Sequence, residues 1–326
     1  METKKYYGMI DILRLVFAIL VMVIHTMAFS SINEDLRIVT SMGICRIAVP
    51  FFFIVSGYFL YNRINLEKEP KSTLKRLLIL YGSWVAIEFV ALSPGILNYF
   101  KDPLSIIMRL LLFGVTGSLW YISSLIITIL LISKLLKKDK IIFLLIIGFI
   151  LYLFGTTGDT YYGLFNNPLI NGYTSIFVLP QIGITESILF ITLGAAINKY
   201  KLNYKIKNAG ILSISSIILL LIETFVLNKI GIAKDANMYL SAIIAAPSIL
   251  IWALNYKKNI SNKFSKTCKE YSIGIYCSHQ ILMLWIQALL PNAATNSMIK
   301  FILTFCLSAL VITLLRKTKA KIILLE

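Results

Sequence analysis

Charged residues inside the first long apolar stretch constrain this chain more than any other feature. Residues 9–30 read MIDILRLVFAILVMVIHTMAFS, which is long enough and apolar enough to cross a bilayer as a helix. The stretch nevertheless contains Asp11, Arg14 and His25. A helix places Arg14 and His25 on nearly the same face, about 16 Å apart along its axis. Because ionisable side chains are costly in hydrocarbon, such residues usually face a cavity and carry function.

The rest of the chain is also dominated by apolar residues. Of its 326 residues, 58% are hydrophobic, a composition typical of a polytopic membrane protein and not of a soluble domain. The net charge of +17 arises largely from basic clusters between apolar runs, at 62–76, 134–140, 199–207, 257–269 and 316–321. Short basic segments of this kind mark cytoplasmic loops. The charge therefore indicates a lipid bilayer as the partner, and no nucleic acid.

The alternation of apolar and basic segments predicts ten membrane-spanning helices with both termini in the cytoplasm. The fold is then all-α, because backbone polar groups in lipid must be satisfied within each segment. Residues 103–116 are too few to span and are expected to form an interfacial or re-entrant helix, and 157–175 an outer loop. We expect residues 1–326 to form a single transmembrane domain without a soluble catalytic domain. The predicted spans are 9–30, 42–61, 75–93, 118–135, 141–156, 176–198, 209–228, 237–255, 271–290 and 298–315.

Several ionisable residues in these spans are candidates for either structure or substrate binding. Asp11 and Arg14 are three residues apart and predict an ion pair, structural or functional. Arg46 is either a substrate contact or a cation that extends to the outer interface. A buried carboxylate is protonated or paired, so Glu88 and Glu223 predict structural hydrogen bonds or substrate contacts. Glu186 is a further carboxylate within a predicted span.

The chain has two histidines, His25 and His279. His25 is interpreted as a proton-handling group, with a hydrogen bond to a neighbouring helix as the alternative. His279 lies within YSIGIYCSHQ and is interpreted as structural. The Ser56-Gly57 pair favours a close helix approach, and Trp120 at the start of the fourth span fits an aromatic belt. Two histidines in different helices, without cysteine partners, predict no metal site.

Four segments together resemble the membrane acyltransferase family 3. They are the Arg14-x10-His25 spacing, VPFFFIVSGYFLY, LWYISSL and YSIGIYCSH, and they follow one another over almost the whole chain. The resemblance implies a multi-pass protein of the bacterial cytoplasmic membrane. It also implies transfer of an acyl group, usually acetyl, from cytosolic acyl-CoA to an extracytoplasmic hydroxyl acceptor of the cell envelope.

The same resemblance implies roles for individual residues. His25 would be the catalytic base and Arg14 a contact for the acyl donor. Two positions differ from the family pattern, since Ile79 lies three residues after Arg76, where a second arginine is common, and Gln181 stands where an arginine is expected. Both differences remove positive charge that would hold CoA phosphates. The substrate contacts that we expect are Asp11, Arg46, Ser56, Arg76, Glu88, Trp120, Asp159 and Glu223.

A second function is implied by a likeness within that family. CRIAVPFFFIVSGY and GDTYYGL are similar to segments in the membrane part of serine racemases from vancomycin-resistant bacteria. The chain would then bind or import L-serine for a linked or separate racemase domain. In that case Arg14 would bind the serine carboxylate, and Glu88 or Glu223 its ammonium group. A structural membrane anchor for a partner enzyme is the third alternative.

Overall fold

The computed structural model describes residues 7–65, 70–96, 103–165 and 167–325, and every regular element within these ranges is helical. A π-helix covers Ile38–Gly43, and short 3-10 helices cover Ile44–Ile47 and Tyr162–Leu164. The α-helices are α1 (Gly8–Thr26), α2 (Glu34–Arg37), α3 (Ala48–Asn65), α4 (Lys71–Ile96), α5 (Pro103–Leu112), α6 (Trp120–Lys137), α7 (Ile141–Thr156), α8 (Pro168–Phe177), α9 (Ser187–Lys199), α10 (Leu202–Lys205), α11 (Ala209–Lys229), α12 (Ala242–Leu254), α13 (Asn262–Leu289), α14 (Pro291–Ala294), α15 (Ser297–Leu315) and α16 (Lys321–Leu324).

The ten predicted spans correspond to α1, α3, α4, α6, α7, α9, α11, α12, α13 and α15. Within the described residues, five helical segments are long and apolar enough to cross a membrane. They are Gly8–Thr26, Glu34–Ile64, Trp120–Lys137, Ala209–Lys229 and Ser297–Leu315. Helices α7, α9 and α12 are apolar but shorter. The number of spans, the side on which each loop lies and the cytoplasmic termini stay predictions.

Some boundaries match the sequence closely, and one region differs. Helix α7 occupies the predicted 141–156, and α5 is the short helix expected within 103–116. The predicted loop 157–175 instead contains most of α8, which begins because Pro168 takes the first helical position and Asn167 accepts a hydrogen bond from the Leu169 amide. The sixth span was expected from 176, but α9 begins at Ser187.

Side-chain hydroxyls provide hydrogen-bond partners for the irregular backbone between α8 and α9. The amide of Gly183 donates to the Ser124 hydroxyl at 2.9 Å, and the amide of Ile184 donates to the Tyr173 hydroxyl at 3.2 Å. The Tyr173 hydroxyl donates in turn to the carbonyl of Ile182. Non-helical backbone at membrane depth is tolerated where protein groups replace water in this way.

Helices α3 and α9 cross with their backbones in contact at two glycines. A Cβ atom on Gly57 would lie 1.9 Å from the carbonyl oxygen of Ile191, and one on Gly194 would lie 1.9 Å from that of Ile54. The close helix approach predicted at Ser56-Gly57 is therefore confirmed, because a residue with a Cβ would not fit. This crossing belongs to the main core, which includes the buried rings of Phe51, Phe53, Phe190 and Tyr239.

Candidate active site

His25 and His279 lie side by side where α1 packs against α13. Their ring centroids are 5.1 Å apart, and the ring planes are inclined by 40°. His25 lies in the last turn of α1, and His279 is fully buried in the second half of α13. The α1–α13 contact thus brings together two histidines that are separated by most of the sequence.

The hydrogen bonds of His279 define its tautomer. Its Nδ1 lies 3.0 Å from the carbonyl oxygen of Ile275 and 2.8 Å from that of Tyr276. Since a carbonyl oxygen can only accept, Nδ1 carries the proton in the neutral ring and Nε2 carries a lone pair. That Nε2 is buried and has no hydrogen-bond partner among the described residues. His279 therefore offers an unused acceptor atom next to the ring of His25.

Aromatic rings extend from the two histidines to the hydroxyl of Ser56. The ring of Tyr276 lies 6.3 Å from that of His279 and 5.6 Å from that of Tyr121. Phe52 lies 5.7 Å from Tyr121. The Tyr121 hydroxyl is 3.1 Å from Ser56 Oγ. The predicted contact residue Ser56 is therefore linked to the histidines by a continuous row of rings.

Arg14 occupies the opposite end of α1, and hydrogen bonds to α13 hold that end. Its Nη1 lies 2.9 Å from Asp11 Oδ1, which confirms the predicted ion pair. Ser265 donates to the other oxygen of Asp11 at 2.5 Å, and Ser272 donates to the carbonyl of Arg14 at 2.9 Å. The guanidinium also lies over the ring of Phe59, 5.3 Å from its centroid. The side chain remains 22% exposed, so ligands can reach it.

Arg46 and Asp159 belong to one hydrogen-bonded group near the histidines. Arg46 lies close enough to His25 to act on it electrostatically, as does the neighbouring ring of His279. Arg46 donates to the side-chain oxygen of Asn237. Asn237 donates two hydrogen bonds in turn to the fully buried Asp159. Its backbone N–H donates at 2.6 Å and its side-chain Nδ2 donates at 2.8 Å. The buried Nε of Arg46 has no partner among the described residues.

Glu186 is the second carboxylate of this group. Only 2% of the residue is exposed, and its nearest charged neighbours include Asp159 and Arg46. Within the described residues no hydrogen bond engages its carboxylate. In the adjoining loop, burial raises the pKa of Asp235, and the nearby Asp159 raises it further. Asp159 and Glu186 are therefore the buried carboxylates beside Arg46. We call this group the Arg46 cluster (Arg46, Asp159, Glu186 and Asn237).

Glu88 lies elsewhere and binds the turn between α5 and α6. It is fully buried and accepts hydrogen bonds from the amides of Val115 at 2.6 Å and Thr116 at 3.2 Å. The Thr116 hydroxyl donates to its second oxygen at 2.6 Å. Both carboxylate oxygens of Glu88 are therefore engaged by protein donors.

Glu223 binds the beginning of α12 in the same manner. It accepts hydrogen bonds from the amides of Leu240 at 2.8 Å and Ser241 at 2.9 Å, and from the hydroxyl of Ser241. The Tyr161 hydroxyl donates to it at 2.6 Å. Because a carboxylate stabilises the amide-rich start of a helix, Glu223 connects α11 to α12.

The remaining predicted contact residues, Arg76 and Trp120, lie on different helices. Arg76 is on the exposed face of the first turns of α4. Trp120 is the first residue of α6 and packs, partly buried, against the main core. The structure thus places Arg46 within electrostatic reach of His25, links Arg46 to Asp159 through Asn237, and pairs Arg14 with Asp11.

The family model described as an acyltransferase domain, acyltransferase 3, matches residues 7–317. The chain belongs to the acyltransferase 3 family. No solved structure matches the chain.

Curated relatives of this acyltransferase 3 domain carry racemase names. An amino-acid racemase from Enterococcus faecalis is 28% identical over 95% of the chain and 46% of the relative. A second one from the same organism is 29% identical over 96% of the chain and 45% of the relative. A serine/alanine racemase from Enterococcus gallinarum is 30% identical over 74% of the chain and 37% of the relative. The chain spans less than half the length of these relatives.

Two residues of this candidate site, His279 and Glu186, were not predicted as functional from the sequence. His279 was interpreted as structural, although its segment YSIGIYCSH was one of the four that indicated the family. Glu186 was noted as a carboxylate within a span, without a role. In both cases the available signal was an ionisable residue inside an apolar stretch. The position beside His25 or Arg46 became visible only in the folded chain.

Proposed function

We propose that this domain transfers an acyl group, with acetyl as the expected group, from cytosolic acyl-CoA to a hydroxyl acceptor on the extracytoplasmic side of the membrane. The observation that carries the proposal is the His25–His279 pair. His25 makes no hydrogen bond with the described residues, and its neighbour offers a lone pair on a ring whose tautomer is fixed. A neutral imidazole that is free of other partners is suited to general-base catalysis.

In the proposed reaction the acceptor hydroxyl gives its proton to a ring nitrogen of His25 while its oxygen attacks the thioester carbon. The bond between carbon and sulfur then breaks, and His25 returns the proton to the leaving sulfur. The products are an ester and free CoA. His279 is a positioning residue in this proposal: when the acceptor binds, its vacant Nε2 would take a hydrogen bond from the N–H of His25 and direct the other nitrogen of His25 toward the acceptor.

The donor and the acceptor approach His25 from opposite directions in this proposal. Arg14, partly exposed and held by Asp11, contacts the donor at the predicted cytoplasmic end of α1. Arg14 acts electrostatically on Tyr121, whose hydroxyl contacts Ser56. The row of rings continues from Tyr121 through Tyr276 to His279. The distance of about 16 Å between Arg14 and His25 along α1 is short enough for an extended thioester arm to bridge.

The Arg46 cluster is the proposed acceptor site. It lies beside His25, and it holds two buried polar groups without hydrogen bonds to described residues, the Nε of Arg46 and the carboxylate of Glu186. Buried polar groups are normally paired, so these two are the ones that a polar acceptor would satisfy. We do not assign Glu88 or Glu223 to substrate, because backbone amides and hydroxyls occupy their oxygens.

Binding or import of L-serine is the second candidate, and the racemase names of the relatives favour it. The charges of the Arg46 cluster suit an amino acid as well. Arg46 would pair with the carboxylate and Glu186 with the ammonium group, in place of the Arg14, Glu88 and Glu223 contacts considered from the sequence. Catalysis and import therefore differ in whether acetyl-CoA binds and whether that binding depends on Arg14.

Calorimetry on the purified protein separates these candidates. Arg14→Lys keeps the charge but loses the planar pair of donors, so we expect weaker binding of acetyl-CoA and unchanged binding of L-serine. Arg37→Lys is the matched control, since Arg37 pairs with Glu34 on the surface, away from the histidines. Binding of L-serine to both the wild type and Arg14→Lys, together with no binding of acetyl-CoA to either protein, would reject acyl transfer.

A further inference from the structure

A basic cavity opens between α13, α15 and α16, away from the histidines. Its volume is about 380 Å³. Five cationic side chains and one carboxylate line it, so positive charge exceeds negative charge by four. The cationic residues are Lys263, Lys266, Arg316, Lys317 and Lys321, and the carboxylate belongs to Glu270.

The carboxylate of Glu270 is already neutralised. Arg316 Nε lies 2.6 Å from one of its oxygens, and Lys266 Nζ lies 3.7 Å from the other. Three lysines, Lys263, Lys317 and Lys321, have no carboxylate partner among the described residues. Their charges converge on one space, and this arrangement is suited to a multiply hydrogen-bonding anion such as a phosphate group.

The walls of the cavity are fixed by contacts to other helices. Arg316 Nη2 donates to the Thr267 hydroxyl at 2.8 Å, which ties α15 to α13. The indole of Trp84 on α4 donates to the carbonyl of Leu324 at 3.2 Å, and Leu325 is fully buried. Helix α16 is therefore anchored, and the cavity is preformed in the free protein.

Exposed aliphatic side chains lie on two of the elements that line the cavity. On α15, Leu310 is 55% and Leu314 is 54% exposed, and on α16, Ile322 is 64% and Ile323 is 48% exposed. A soluble phosphate compound would leave these side chains uncovered. A phospholipid would cover them with its acyl chains while its phosphate enters the cavity.

We propose that this cavity binds the phosphate group of an anionic phospholipid. The site is distinct from the donor contact at Arg14. On α13, Ser265 and Ser272 face α1, whereas Lys266 and Glu270 face α15. The proposal does not depend on acyl transfer, and its test measures lipid binding alone.

The test is thermal unfolding of the full chain in detergent, with phosphatidylglycerol or with phosphatidylcholine of the same acyl chains. Phosphatidylglycerol is expected to raise the Tm of the wild type more than phosphatidylcholine does. The variant K263Q/K317Q/K321Q retains Arg316 and Glu270, so the helix contacts stay intact. Each lysine near an anionic lipid is worth roughly fivefold in affinity, so the variant is expected to bind phosphatidylglycerol on the order of 100-fold more weakly.

A matched control removes the same charge elsewhere. Lys137, Lys138 and Lys205 are exposed and lie outside the cavity, so K137Q/K138Q/K205Q is expected to respond like the wild type. An equal loss in both variants, or no loss in the first, would overturn the proposal. So would an equal Tm increase from CoA or inorganic phosphate at the same concentration, since the bound group would then not be lipid.

A measurement on the wild type covers the case in which the cavity variant does not fold. A phosphatidylglycerol analogue with a photoreactive group near its phosphate is expected to label peptides within 263–270 and 313–321. Unlabelled phosphatidylglycerol is expected to compete, and phosphatidylcholine is not. Labelling confined to other peptides would contradict the site.

Discussion

The rings of His25 and His279 are in contact, with centroids 5.1 Å apart, although His25 lies on α1 and His279 lies on α13. The carbonyls of Ile275 and Tyr276 fix the proton of His279 on Nδ1, which leaves Nε2 as an acceptor. The proposed chemistry depends on this relationship, since it places an unused acceptor atom beside the ring of His25. The predictions below separate the residues of this site from residues that support the fold.

Glu186 and Asp159 are neighbouring carboxylates that differ in the hydrogen bonds they accept. Glu186→Gln is expected to leave the Tm unchanged or raised, because its carboxylate makes no hydrogen bond with the described residues and its burial as an ion is costly. The same variant is expected to lower transfer of label from acetyl-CoA to ester-linked products, with acetyl-CoA binding unchanged. Thermal unfolding, calorimetry and incorporation of label check these outcomes.

Asp159→Asn serves as the comparison, because Asp159 accepts hydrogen bonds from Asn237, Met238 and Thr160. It is expected to lower the Tm. If Glu186→Gln lowers the Tm equally and transfers label normally per folded molecule, Glu186 supports the fold and does not bind the acceptor.

Glu223→Gln is expected to destabilise the protein without a specific effect on ligand binding. The variant replaces a charged acceptor with an amide at the beginning of α12, where two amides and the Ser241 hydroxyl donate. Hydrogen bonds to charged groups are worth about 1.5–3 kcal/mol, so a loss of about 2 kcal/mol is expected in denaturant unfolding. Glu34→Gln, on the exposed helix α2, is the control and is expected to change stability little. A Glu223→Gln protein of normal stability that no longer binds L-serine would assign Glu223 to substrate.

Much of the helical framework can be predicted from the sequence, because apolar length and basic clusters are local signals. Residues 141–156 and 209–228 were placed almost to the residue. The segment before α9 could not be placed, since its irregular backbone is held by Ser124, 59 residues away on α6, and by Tyr173 on the preceding helix α8. The pairing of His279 with His25 and of Glu186 with Arg46 is equally non-local. The Arg14–Asp11 pair was predictable because it lies within one helical turn.

Gly57→Ala is expected to weaken the crossing of α3 and α9. The new Cβ would lie 1.9 Å from the carbonyl oxygen of Ile191, so the helices must separate at a cost of about 1–3 kcal/mol. Gly82→Ala is the matched control, because nothing lies within 4 Å of the added Cβ and alanine favours a helix. Thermal unfolding should show a lower Tm for the first variant and no decrease for the second. Equal stability of both variants would contradict the close approach.

The central claim is that His25 is the general base of acyl transfer. The most direct measurement is incorporation of radiolabelled acetyl from acetyl-CoA into hydroxylamine-labile products, in inverted membrane vesicles that contain equal amounts of wild type, His25→Ala or His279→Asn. His25→Ala is expected to lose on the order of 10²–10⁴-fold in rate while the protein level and Tm are retained. His279→Asn keeps a donor for the Ile275 and Tyr276 carbonyls but lacks Nε2, so a smaller loss with a shifted pH profile is expected. Full incorporation by His25→Ala at the wild-type protein level would contradict the account.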